Sequence, residues 1–242
     1  MGKISLCLIV TLLSSGLFAQ TSLRWNYPCK PGTECWNALT SVAERQNACQ
    51  ITGIDLKTLS TEELLLITME HPFFRSYVAH DSPVEGLGFA LEGFNGFEEF
   101  KKRPDAMKAA CDIYFTEDFS KIQTMPDSAA MGAYSLKWIG LELVMSNEQF
   151  LSQMYPQEKT DFLKRLHAQL LIKQRYRDVF GGISDAVSAY IFDKVTYSMG
   201  GGELESQYEA ERMKEFRERL IMRDSGQIEL LLNKFTEYIK NH

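Results

Sequence analysis

Residues 129–145 read AAMGAYSLKWIGLELVM, apolar around nearly the whole circumference of a helix. Such a helix has no face to give to water, so it belongs at the centre of a larger body. The stretch therefore demands enough additional chain to wrap it, and 242 residues are ample for that. It also singles out Glu142, the only acidic residue between Ala129 and Met145.

The rest of the chain supplies helices to do the wrapping. Ser-x-x-Glu/Gln capping boxes open at Ser41, Ser60, Ser82 and Ser146. The corner from Ser82 to Ala110 holds three helix starts in succession. Ser82-Pro83 with Glu85 begins the first, and Leu87, Ala90, Leu91 and Phe94 follow at helical spacing. Asn95-Gly96 is expected to break it by adopting positive φ. Phe97 and Phe100 start the second helix, Arg103-Pro104 closes it, and Pro104 opens the third. Phe89, Phe94, Phe97 and Phe100 are all expected to crowd this corner. A long amphipathic helix is expected over 156–180, ended by Gly181-Gly182, with another over 183–197. Gly200-Gly201-Gly202 precedes a helix pair over 203–222 and 227–240, with its turn at Asp224-Ser225-Gly226. Nothing alternates with period two over a useful length. The fold class is therefore all-α. It reads as an irregular array of roughly ten antiparallel helices, for which solenoid-like (HEAT-like) packing is one layout. The capping boxes are unevenly spaced, so no fixed repeat is implied.

The first residues read as an address. Lys3, an apolar run from Ile4 to Leu13 and Leu17-Phe18-Ala19 form a secretory signal peptide, with cleavage expected after Ala19. The run is shorter than the roughly 20 apolar residues of a spanning helix, and no later segment is apolar for long enough to cross a bilayer. The expected organisation is a signal peptide at 1–19, a helical body at 20–202 and a C-terminal helix pair at 203–242 packed on it. Loss of Lys3 takes the formal charge from −6 to −7, a balance that argues against nucleic acid and anionic lipid as partners. A periplasmic or secreted location follows.

Four cysteines remain: Cys29, Cys35, Cys49 and Cys111. Three pairings are open in an oxidising compartment. Cys29–Cys35, which flanks the turn-forming Pro31-Gly32, is preferred, and Cys49 and Cys111 read as small buried hydrophobes. No C-x-x-C pair exists and no histidine has ligand spacing, so no metal and no cofactor are expected.

Three pieces carry a family likeness: Lys30-Pro31-Gly32 with Trp36, Leu59-Ser60-Thr61-Glu62-Glu63-Leu64, and Asn95-Gly96-Phe97 with Arg103-Pro104-Asp105-Ala106. In these the chain resembles an uncharacterised family of exported, all-helical bacterial proteins, over about residues 30–110. The resemblance implies export and a helical fold, and no activity.

Catalytic constellations are scarce. His80-Asp81-Ser82 puts triad residue types side by side, but triad members converge from separate elements. No G-x-S-x-G elbow is present. His71 precedes a proline at a helix end, where a partly charged imidazole suits the carbonyl dipole. Glu142 is the best candidate acid, because an apolar helix would desolvate a carboxyl as a glycosidase general acid requires. However, the sequence nominates no second carboxylate. The bland alternative is a Glu that reaches the surface or pairs with a neighbouring Lys or Arg, and its replacement by Gln is then expected to leave stability unchanged. Phe97 and Phe100 are candidate groove-lining aromatics, with core as the alternative. EAERMKEFRER, residues 209–219, reads as a solvated face with pairs such as Glu215–Arg219. The functional expectation is a non-enzymatic, secreted or cell-envelope helical binding or scaffold protein with an envelope protein or glycan as partner. The alternative is a cell-wall or glycan hydrolase using Glu142.

Overall fold

The computed structural model describes residues 25–201, 207–221 and 225–242. The expected signal peptide and cleavage site, Gly202 and Asp224 lie outside these residues. The described residues are helices, turns and connectors, with no strand among them. None of their helices is long and apolar enough to cross a membrane.

The chain is all-α. The helices are α1 (Glu34–Ala38), α2 (Val42–Ala48), α3 (Thr61–Met69), α4 (Pro83–Leu91), α5 (Asn95–Lys101), α6 (Ala106–Thr116), α7 (Ser128–Met145), α8 (Glu148–Leu151), α9 (Pro156–Gln174), α10 (Arg177–Thr196), α11 (Gln207–Arg219) and α12 (Ser225–Asn241). Caps explain many of the starts. Ser41 and Ser60 form complete boxes with Glu44 and Glu63, each side chain satisfying an otherwise orphaned backbone N–H. Thr33 and Asp127 cap α1 and α7. At Ser146 the expected box is displaced by one residue. Asn147 caps α8 by accepting from the Gln149 N–H at 2.9 Å, while the Ser146 hydroxyl donates back to the Leu143 carbonyl.

The corner between α4 and α6 differs from expectation in two ways. The break falls at Gly93, which has φ +67°, and Asn95 and Gly96 already belong to α5. Gly96 is needed for space instead. A Cβ there would stand 2.6 Å from Phe94 Cζ and 2.8 Å from Ile51 Cδ1. Asn95 clamps the α2–α3 connector, accepting from the Ile51 N–H at 3.0 Å and donating to the Ile51 carbonyl at 2.9 Å. Secondly, the four phenylalanines do not all converge. Phe94 and Phe100 are buried, Phe97 is half-buried and Phe89 is 57% exposed, stacked on His80.

The second half of α7 is buried, as an all-apolar helix requires, and α10 lies against it. α3, α4 and α6 cover α7 from one side, while α9, α11 and α12 pack on α10. The long helix expected over 156–180 stops earlier, at Gln174. A single turn follows before the kink at Gly181. α4 also meets α11, and α3 meets α7. Units of a solenoid meet only their neighbours.

Two features fasten the ends of the chain. Cys29 and Cys35 are joined by a disulfide with Cα atoms 5.5 Å apart. It holds the lead-in whose Tyr27 donates to the Ile67 carbonyl at 2.9 Å. At the other end Phe216 and Phe235 bury the helix pair against the body. Arg219 forks onto Glu85 at 2.5 and 2.8 Å, and its carbonyl accepts from Ser82 Oγ at 2.6 Å. The charged face over 209–219 therefore does more than meet water, because Arg217 and Arg219 reach off the helix to the body.

Candidate functional site

Glu142 sits one turn before the end of α7 and is 0% exposed. Three other helices converge on it. Tyr114 of α6 donates its hydroxyl to Oε1. Lys173 of α9, itself 1% exposed, donates Nζ to the same oxygen at 2.5 Å. Ser188 of α10 approaches Oε1 at 3.4 Å and Lys173 Nζ at 3.3 Å. Burying two charges is costly, and the close pairing with added hydrogen bonds at Oε1 offsets part of that cost, while Oε2 is buried without a hydrogen-bond partner. Burial, the Glu142 charge and its hydrogen bond hold the Tyr114 phenol well above the usual tyrosine range, so Tyr114 remains a donor. Tyr77 is raised by burial and by the same charge.

This arrangement is a closed ionic knot. A general acid must touch a glycosidic oxygen, whereas Glu142 is enclosed by the helices that bind it and is absent from the walls of the four clefts described below. The expectation that Glu142→Gln leaves stability unchanged does not fit this setting, because that change strands a buried ammonium. His80 and Asp81 stand at the head of α4, with Ser82 engaged in its cap and the Arg219 carbonyl. His71 is at a helix end, as read, but it is 4% exposed and burial lowers its pKa to about 4. It is neutral there, not partly charged. A helix-terminal cation gains about 0.3–1 kcal/mol, too little to outweigh desolvation of this size.

The two candidate aromatics separate. Phe100 is fully buried, with its neighbour Phe150 edge-on at 5.4 Å. Phe97 lies over Phe100 at 6.1 Å and reaches the wall of a cleft of about 300 Å³ shared with Val84, Leu87, Leu143 and Tyr190.

That cleft opens through Glu148, Lys194 and Glu218 into a larger one of about 870 Å³, formed by α8, the start of α9, the end of α10 and α11. Tyr197 stands half-exposed in it, with the Arg217 guanidinium 4.4 Å from its ring centre. Arg217 is fixed by a two-pronged bond to Asp193 at 2.7 and 3.2 Å. Lys194 pairs with Glu148 at 3.4 Å, and Lys159 donates to Ser198 at 3.0 Å. Tyr197 and Arg217 also border a third cleft, of about 670 Å³, that runs along α12 to Tyr238 and His242. The three share lining residues and follow one another past α10, from α4 and α5 by way of α11 to α12, and are called the groove below. Sequence reading missed Lys194, Tyr197 and Arg217. The only local hint was an aromatic residue, Tyr197, shortly before the glycine run. A fourth cleft, of about 420 Å³, lies between α6 and α9.

Among the described residues, no group of three or more His, Cys, Asp or Glu side chains is placed to hold a metal ion. The chain matches no protein-family model, no curated protein and no solved structure.

Proposed function

We propose that this is a non-enzymatic helical binding protein of the cell envelope or exterior, which holds its partner in the groove between α10 and the C-terminal pair. The observation that carries the reading is the groove itself. It is walled by packed helices, it joins an apolar end at Phe97 to a charged centre, and it presents Tyr197 beside an Arg217 already fixed by Asp193. Pre-positioned aromatic and arginine side chains are the residue types that dominate binding energy at interfaces. The enclosure of Glu142 supports binding over hydrolysis at that residue, since its carboxylate is engaged by Lys173 and Tyr114.

The test uses immobilised protein challenged with envelope extract and with purified peptidoglycan fragments. Wild type and the control Phe89→Ala, altered outside the groove, should retain a common set of envelope proteins or glycan fragments. Tyr197→Ala and Lys214→Glu should lose them. Equal retention by all four refutes the groove as the binding element. Release of soluble sugar by wild type, abolished in Glu142→Gln, replaces the binding reading with the hydrolase.

A further inference from the structure

The cleft between α6 and α9 contains chemistry that the groove does not use. Met107 and Cys111 are one helical turn apart on α6, so both side chains fall on the same face. Met154, in the turn between α8 and α9, lines the same cleft. The turn is held against α6 by the Met107 N–H, which donates to Gln153 Oε1 at 3.2 Å. Two thioethers and one free thiol therefore border a single opening of about 420 Å³.

We propose that Met107, Cys111 and Met154 form a binding site for a soft monovalent metal ion, cuprous copper. Ligand type decides the choice. Thiolate and thioether sulfur select Cu(I), whereas zinc wants several thiolates or imidazoles and hard cations want oxygen. No histidine lines this cleft, and its carboxylates do not converge into a metal-holding group among the described residues. They do set the field. Asp105, Asp112, Glu158 and Asp161 face Lys108 and Arg165, an excess of negative charge that favours a cation. The apolar walls, Phe115 and Phe162, limit water around the sulfurs. Cys49 offers no such site, being wholly buried.

Binding is a simple exchange. Cu(I) takes the Cys111 sulfur as thiolate, the thiol proton leaves to solvent, and the two thioethers donate lone pairs with no change in oxidation state.

The probe is Cu(I) held by bicinchoninate under anaerobic conditions with ascorbate, which leaves the Cys29–Cys35 disulfide intact. Wild type should withdraw one equivalent of copper and bleach the bicinchoninate complex accordingly. X-ray absorption of the loaded protein should show sulfur scatterers only. Cys111→Ser should weaken binding by more than about a hundredfold, since even outer-shell partners of a metal are worth roughly 10–100-fold. Met154→Leu keeps the volume at the cleft and should also weaken binding. Cys49→Ser should bind as wild type does. Failure of wild type to compete overturns the site, as does undiminished binding by Cys111→Ser or by Met154→Leu. If Cys111→Ser does not fold, Met154→Leu with the X-ray spectrum decides alone. The groove variants Tyr197→Ala and Lys214→Glu should bind copper normally, so the two readings stand or fall separately.

Discussion

His71 offers a test of the N-terminal packing by pH alone. Its ring lies 4.6 Å from that of Phe94, 5.7 Å from Tyr27 and 5.9 Å from Phe73, and Nδ1 accepts the Phe73 N–H at 3.3 Å. A proton on Nδ1 would break that bond and place a charge among three aromatic rings. Burial accordingly lowers the pKa from 6.5 to about 4. The folded value lies below the unfolded one, so the folded state binds fewer protons and stability falls as the pH falls. The contribution is fully present above about pH 6.5 and is lost through the window down to about pH 4. Within that window each pH unit is worth about 1.36 kcal/mol, so going from pH 7 to pH 5 should cost about 2 kcal/mol and going to pH 4 about 3 kcal/mol. The assay is urea unfolding of wild type and His71→Gln at pH 7 and pH 5. Gln retains an acceptor for the Phe73 N–H and does not titrate. His167, whose pKa is also lowered by burial, and the surface carboxylates titrate equally in both chains and cancel in the comparison. Wild type should lose about 2 kcal/mol more than the variant between the two pH values. Equal losses in the two proteins refute the burial argument for His71.

Three further outcomes are expected. Lys173→Met leaves Glu142 buried without its cation and should cost about 3–5 kcal/mol in chemical denaturation, with the double Glu142→Gln/Lys173→Met chain recovering most of it. An additive double mutant would show that the two side chains do not interact. Gly96→Ala places a methyl group against Phe94 and Ile51 and should cost about 1–3 kcal/mol by melting, whereas a wild-type melting curve would show that the α5 contact is loose. Phe100→Ala should cost about 3–5 kcal/mol and half-buried Phe97→Ala clearly less, an order that calorimetry can reverse.

What was legible in the sequence was local. The Ser41 and Ser60 boxes can be read because donor and acceptor lie three residues apart and the pattern is the interaction. The all-apolar stretch announced a buried helix because no partner need be named to know that it requires burial. Gly96 was assigned the wrong cause, since Ile51 has to be known as its neighbour before space can be weighed against φ. Glu142 was noticed for its setting, but Tyr114, Lys173 and Ser188 come from separate helices 28, 31 and 46 residues away. The groove was invisible for the same reason. Arg217 reads as one charge among many until Asp193 and Tyr197 stand beside it.

The clasp of Arg219 on Glu85 and Ser82 joins residues 134 and 137 positions apart. Such a contact forms only after a very long loop has closed, and loop closure delays non-local pairing. α3 meets α5 and α6, and those contacts close much shorter loops than the clasp does. Ser82 therefore carries one local and one distant bond: its Oγ accepts from the Glu85 N–H within α4 and donates to the Arg219 carbonyl at the far end of the chain. Hydrogen exchange should therefore find the amides of α11 opening as one unit with this clasp, separately from the α7–α10 core, and closing last when the chain refolds.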